Sequence, residues 1–167
     1  SVTLVNGPAI TSSPAPAWIA YSPDGTRLAA SNGDPTPHVW DVTTGKLLFT
    51  LTGHTDIVRG IAYSPDGKRV ATASDDGTAK VWDLATGREV LTLAGQPDFA
   101  MIGVAFSPDN TRIATGSGDG TAKVWDARMG KELLTLSGHT DSVQGVVFSP
   151  DGSRLATVSY DRTIKVW

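Results

Sequence analysis

Short runs of apolar and β-branched residues alternate with polar turns along the chain, and no stretch holds an amphipathic-helix spacing between caps. The pattern predicts strands. Between Arg59 and Leu93 it is clearest: Arg59 to Ser64 reads as a first strand, and Arg69 to Ser74 as a second. Between them, Ser64-Pro65-Asp66-Gly67 is a turn in which Pro presets φ and Gly supplies a positive φ. Asp76-Gly77 predicts a hairpin into Ala79 to Trp82, and a loop through Thr86-Gly87 leads to Glu89 to Leu93. Small or apolar residues on both faces, as in Val70-Ala71-Thr72-Ala73, suit sheets covered on both sides.

This unit recurs. Ser-Pro-Asp-Gly begins at Ser22, Ser64 and Ser149, with Ser-Pro-Asp-Asn at Ser107, at intervals of 42, 43 and 42 residues. Val-Trp at Val39, Val81, Val124 and Val166 keeps the same intervals. Gly53 to Trp82 matches Gly138 to Trp167 at 19 of 30 positions, which indicates internal duplication. A period near 42 divides 1–167 into a divergent first repeat, 1–41, followed by 42–83, 84–126 and 127–167. Four-stranded units repeated in this way must stack, and a radial stack that closes protects its strand edges.

Composition narrows the chemistry. With 14 basic and 17 acidic residues the net charge is −3, which provides no positive field for a polyphosphate backbone. Nucleic acid is disfavoured as a partner. No apolar run approaches the roughly 18 residues of a membrane helix, so no membrane association is expected and a cytoplasmic location is. The absence of cysteine excludes disulfides, thiolate nucleophiles and Cys-ligated metals.

Gly53-His54, Ser64-Pro65-Asp66-Gly67, Asp76 and Trp82-Asp83, in that order and phase, resemble the WD40 repeat over essentially the whole chain. The resemblance implies an all-β fold, a β-propeller of four WD40-type four-stranded blades. It also implies an offset, each sequence repeat giving the outer strand of one blade and the inner three strands of the next. The family's structural tetrad of His, Ser or Thr, Asp and Trp falls on His54, Thr72, Asp76 and Trp82, and again on His139, Thr157, Asp161 and Trp167. The third repeat has Thr115, Asp119 and Trp125, but Gln96 stands at the His position. The first keeps Asp34 and Trp40 while Ala30 replaces the hydroxyl residue and Asn6-Gly7-Pro8 replaces Gly-His. Its network is expected to be missing.

His, hydroxyl and Asp together also invite a nucleophilic reading. The same set occurs at equivalent positions of two repeats, whereas a catalytic centre needs one asymmetric arrangement, so these residues are assigned to blade stability. No catalytic residue, cofactor or metal is expected. His38 is isolated, Asp75-Asp76-Gly77 lacks the ligand alternation of a calcium loop, and Gly116 to Gly120 lacks the helix and Lys of a phosphate loop.

Residues 1–5 align with the outer-strand slots Leu47 to Leu51, Val90 to Leu93 and Leu133 to Leu136, while the last repeat runs to its third strand at Trp167. The N-terminal strand is expected to complete a terminal blade. Four repeats leave three arrangements open: a four-bladed monomer, an eight-bladed ring of two chains, or part of a larger propeller. The eight-bladed homodimer with exchanged terminal strands is favoured.

Members of the family mostly bind proteins or peptides through the loops before the first strand and between the second and third. Matching positions are Ile57, Arg59 and Asp75; Ala100, Ile102 and Gly118; and Ser142, Gln144 and Tyr160, with Ala15, Ala17 and Gly33 in the first repeat. Trp18, where the next repeat has Gly60, and the Pro-rich segment Pro8 to Pro16 mark the first repeat as a specialised contact. The expected function is a non-catalytic scaffold for a protein or peptide. The alternatives are an enzyme using the propeller channel, and a half-propeller or engineered assembly without a natural ligand.

Overall fold

The computed structural model describes residues 18–167, an all-β arrangement of fifteen strands in four antiparallel sheets. The first blade comprises β1 (Trp18–Tyr21), β2 (Arg27–Ser31), β3 (His38–Asp41) and β4 (Leu47–Thr50). The second comprises β5 (Val58–Tyr63), β6 (Arg69–Ser74), β7 (Thr78–Asp83) and β8 (Arg88–Ala94). The third contains β9 (Met101–Phe106), β10 (Arg112–Ser117), β11 (Thr121–Asp126) and β12 (Glu132–Ser137). The fourth contains β13 (Val143–Phe148), β14 (Leu155–Ser159) and β15 (Ile164–Val166), three strands among the described residues. The expected outer strand at residues 1–5 lies outside the described range.

Strand four of each full sheet pairs with strand three of the same sheet, although in sequence it opens the following repeat. The expected strands of the second repeat differ from the observed ones by a residue or so at their ends. β5 begins at Val58 rather than Arg59, and β7 and β8 each gain a residue at both ends.

The Ser-Pro-Asp-Gly turns repeat one local device. In each, the Ser hydroxyl donates to the Asp two residues on, as from Ser64 to Asp66 at 2.6 Å, and accepts the N–H of the Arg five residues on, which opens strand two in the first three blades and precedes it in the fourth. Gly67 takes φ +68°, and Asn110 takes φ +62° in the same slot, a left-handed conformation that Asn tolerates better than most residues.

Blades stack on repeated apolar faces. Ala29, Val39 and Leu51 of the first blade meet Val70, Trp82 and Leu84 of the second. Ala73, Ala79, Val81 and Leu93 of the second meet Met101, Ile113 and Trp125 of the third, and Ala114 and Val124 of the third meet Phe148 and Leu155 of the fourth. Small residues on one face allow the next sheet's larger ones to seat close. The innermost strands approach backbone to backbone. A Cβ added at Gly60 would lie 2.5 Å from the Ile102 carbonyl oxygen, and one at Gly103 3.1 Å from Gly145 Cα.

Candidate interaction face and structural tetrad

The second blade assembles the tetrad in its core. His54 Nδ1 lies 2.8 Å from Asp76 Oδ2, and its Nε2 lies 2.7 Å from Thr72 Oγ1. With Asp76 ionised, Nδ1–H donates to the carboxylate, so Nε2 accepts the Thr72 hydroxyl proton. Thr72 Oγ1 in turn accepts Trp82 Nε1–H at 2.9 Å. The His54 side chain is fully buried, and burial lowers its pKa below 6.5 despite the opposing pull of Asp76. Burial would raise Asp76, but hydrogen bonds from Thr78, His54 and the Thr55 N–H outweigh it and hold the carboxyl below its ordinary value.

The fourth blade repeats this geometry. His139 lies 2.7 Å from both Asp161 and Thr157, and Trp167 Nε1 donates to Thr157 at 3.0 Å. In the third blade Trp125 donates to Thr115 at 2.9 Å, and Asp119 accepts from Thr121, but Gln96 is exposed and no side chain joins the two halves. In the first blade the buried Trp40 Nε1 has no hydrogen-bond partner among the described residues, and Ala30 occupies the hydroxyl slot. His38 stacks on that indole at 5.6 Å.

At the end of the propeller carrying these His and Asp residues, one backbone bond is made three times. Asp75 N donates to Ile57 O at 2.9 Å, Gly118 N to Ala100 O at 2.9 Å, and Tyr160 N to Ser142 O at 3.0 Å. The loop before strand one and the turn between strands two and three are therefore tied into a single ledge in each blade. The side chains on these ledges differ. Arg59 grips Asp75 through Nε at 3.0 and 2.9 Å and Nη2 at 2.6 Å, and this pairing raises its already high pKa. Gln144 donates to Ser142 Oγ at 2.7 Å, and Tyr160 is 68% exposed. Ile57, Ala100 and Ile102 are half-buried, and Trp18 stands at the start of β1 opposite Ser31 with 37% of its surface open. Ala15, Ala17 and Pro8 to Pro16 lie outside the described residues.

Sequence reasoning named Arg59 and Asp75 separately and missed their pairing, which joins positions 16 residues apart. It also missed a row of arginines at the opposite end of the blades. Arg27 donates to Leu84 O, Arg69 to Ala127 O and Asn110 O, and Arg112 to Gly152 O, each reaching into the next blade. A cleft of about 630 Å³ opens at that end, between the first two blades, lined by Asp24, Arg27, Asp66 and Lys68 among others. Among the described residues no three His, Cys, Asp or Glu side chains gather as a metal site, and no helix is long and apolar enough to cross a membrane.

Stacked four-stranded sheets, a His–Thr–Trp–Asp network in the core and tied loop ledges at one end define a repeat-built β-propeller. Three stretches, 45–83, 87–126 and 130–167, match the family described as WD domain, G-beta repeat. They take in more than half of the chain, which belongs to the WD40 family. The chain is also similar to the probable serine/threonine-protein kinase PkwA of Thermomonospora curvata, at 56% identity over 41 residues. That match takes in 25% of this chain and 6% of that protein. WD40 propellers generally serve as protein-interaction scaffolds and are typically non-enzymatic.

Proposed function

We propose that the chain is a non-catalytic scaffold that binds a protein or peptide on the loop ledges, within an eight-bladed ring of two copies. The observation that carries the reading is the ledge itself. Three blades hold it with the same backbone bond, yet furnish it with Asp75 and Arg59, with Gly118 and Ile102, or with Tyr160 and Gln144. A rigid frame with interchangeable side chains is suited to recognition, and Arg and Tyr are residue types that anchor interfaces. In this reading His54, Thr72, Asp76 and Trp82, with their counterparts, hold the frame and touch no ligand. Residues 1–5 supply the outer strand of a terminal blade in the other copy. The likeness to PkwA supports a role as a recognition module in signalling.

Selection of peptides from a displayed random library on the intact protein tests the proposal. Selected peptides should lose at least tenfold in affinity to Tyr160→Ala and Arg59→Gln while melting temperature stays within about 2 °C. Binding unchanged by both substitutions would place recognition elsewhere.

A further inference from the structure

The same turns meet at the arginine end of each internal blade junction, but they are not fastened alike. Between the second and third blades, Arg69 lies over the Phe106 ring, 5.2 Å from its centroid, and donates to Ala127 O and, at 3.1 Å, to Asn110 O. The Asn110 side chain then bridges the two blades, its Oδ1 accepting the Asp66 N–H at 3.2 Å. Between the third and fourth, Arg112 lies over Phe148 at 5.2 Å and closes onto Gly152 O at 2.8 Å. Between the first and second, Arg27 makes one side-chain bond among the described residues, to Leu84 O at 3.3 Å. The cleft of about 630 Å³ opens beside it.

Two residues set this junction apart. Tyr63 stands where the others have Phe106 and Phe148, and its hydroxyl is buried without a partner among the described residues, close enough to Arg27 to feel its charge. Lys68 stands where the other turns have Thr26, Thr111 and Ser153. Those hydroxyls donate to the Asp of their own turn, at 2.9, 2.8 and 2.8 Å. Asp66 has no such donor and accepts, among the described residues, from the Ser64 hydroxyl and the Lys68 N–H. Gly67, in the slot of Asn110, sends no side chain across to the Asp24 N–H, the counterpart of Asp66 N–H. Gly152 shares that lack, but there Arg112 closes the gap.

The first-blade wall of the cleft thus offers donors, Arg27 and the Asp24 N–H, and the second-blade wall an acceptor, the Asp66 carboxylate. Pro23 and Pro65 add apolar surface. A group that suits both walls must accept and donate at once, and a primary carboxamide does so through its oxygen and its NH₂. A carboxylate would meet Asp24, Asp66 and Asp83, and a cation would meet Arg27 and Lys68. Asn110 shows the fit, since the protein places its own carboxamide at the equivalent point of the next junction. The volume is that of a ligand cleft and exceeds one side chain, which leaves room for flanking residues along the prolines.

We propose that this cleft binds an Asn or Gln side chain of a partner peptide, its oxygen on Arg27 and the Asp24 N–H and its NH₂ on Asp66. The site lies at the end opposite the ledges, within an internal junction, and does not rest on the ledge reading.

Proton–nitrogen correlation spectra of the 167-residue chain, titrated with capped Gly-Asn-Gly and Gly-Gln-Gly, should show saturable shifts of the Asp24, Gly67 and Lys68 amides. Capped Gly-Asp-Gly and Gly-Leu-Gly should bind at least tenfold more weakly. Gly67→Asn supplies the carboxamide from within. Its φ of +68° matches the +62° of Asn110, and an added Cβ lies 3.7 Å from Pro23 Cδ, so the variant keeps its fold and should lose at least tenfold in affinity. Lys68→Thr returns a hydroxyl donor to Asp66 and should weaken binding at least threefold. Tyr160→Ala should leave these shifts unchanged, which separates this site from the ledges. Free asparagine, without flanking residues, should bind at least tenfold more weakly than the capped peptide, and equal binding overturns a peptide as the source. No saturable shift of these amides at tens of millimolar peptide, equal binding of the Leu peptide, or full binding in Gly67→Asn overturns the site.

Discussion

The second and first blades have the same four strands and the same buried tryptophan, yet only the second gives that tryptophan a polar partner. Trp82 donates to Thr72, which is joined through His54 to Asp76. Trp40 occupies the equivalent slot at 4% exposure with its Nε1 unpartnered among the described residues, beside Ala30. Apolar packing is thus enough to place the indole and to form the sheet. The hydrogen-bond network adds stability and fixes the loop before strand one, through the Thr55 N–H bond to Asp76. A buried N–H without a partner costs about 1–3 kcal/mol, and the first blade carries that cost.

The largest separation between the two blades should come from Thr72→Ala. It strips the acceptor from Trp82 and the donor from His54 inside a closed core, and should destabilise by about 2–4 kcal/mol. Urea denaturation of the whole chain would measure it, and a loss under about 1 kcal/mol would mean that packing alone holds the second blade too.

Acid separates the blades next. Burial holds His54 below 6.5 in the folded state, so the unfolded chain takes up this proton first as pH falls. The contribution of neutral His54 is complete above pH 6.5 and is lost as pH drops from there toward the folded value. The urea midpoint should therefore fall between pH 7.5 and 5.5, and His54→Gln should flatten that slope. An equal slope in His54→Gln would remove the histidine from the account. The first blade has no such buried imidazole and offers nothing to titrate in this window except His38, whose pKa burial also lowers.

Ala30→Thr runs in the opposite direction. It offers Trp40 the acceptor that Thr72 gives Trp82, and should stabilise by about 1 kcal/mol, visible as a higher urea midpoint. A loss instead would show that the slot beside Ile19 and His38, the cross-strand partners of Ala30, has no room for the branched side chain.

How much of this was legible depends on how far apart the interacting residues lie. Strands, turns and the phase of the repeat come from local alternation and from Ser-Pro-Asp-Gly, whose hydrogen bonds close within five residues. The orphaned Trp40 followed from Ala30, once the resemblance had supplied the role of that slot. The Arg59–Asp75 pair did not, because side-chain direction on two strands 16 residues apart decides it. The arginine row was also hidden. Arg69 reads as an ordinary surface charge after a turn, and its acceptor at Ala127 lies 58 residues away in another blade.

The smallest effect concerns the aromatic slot at the end of strand one, where the blades differ by exposure rather than by residue. Tyr63 is packed between the first two blades, its hydroxyl is buried without a partner among the described residues, and burial pushes its pKa upward. Tyr21 holds the same slot in the first blade but is open to solvent, so its hydroxyl keeps its water. Phe106 shows that the slot works without a hydroxyl. Tyr63→Phe should thus relieve a desolvated polar group and raise stability by about 0.5–1 kcal/mol, while Tyr21→Phe should leave the separated chain unchanged. Paired urea titrations of the two variants measure the difference. If Tyr63→Phe destabilises, its hydroxyl has a hydrogen-bond partner, and the second blade is satisfied where the first is merely hydrated.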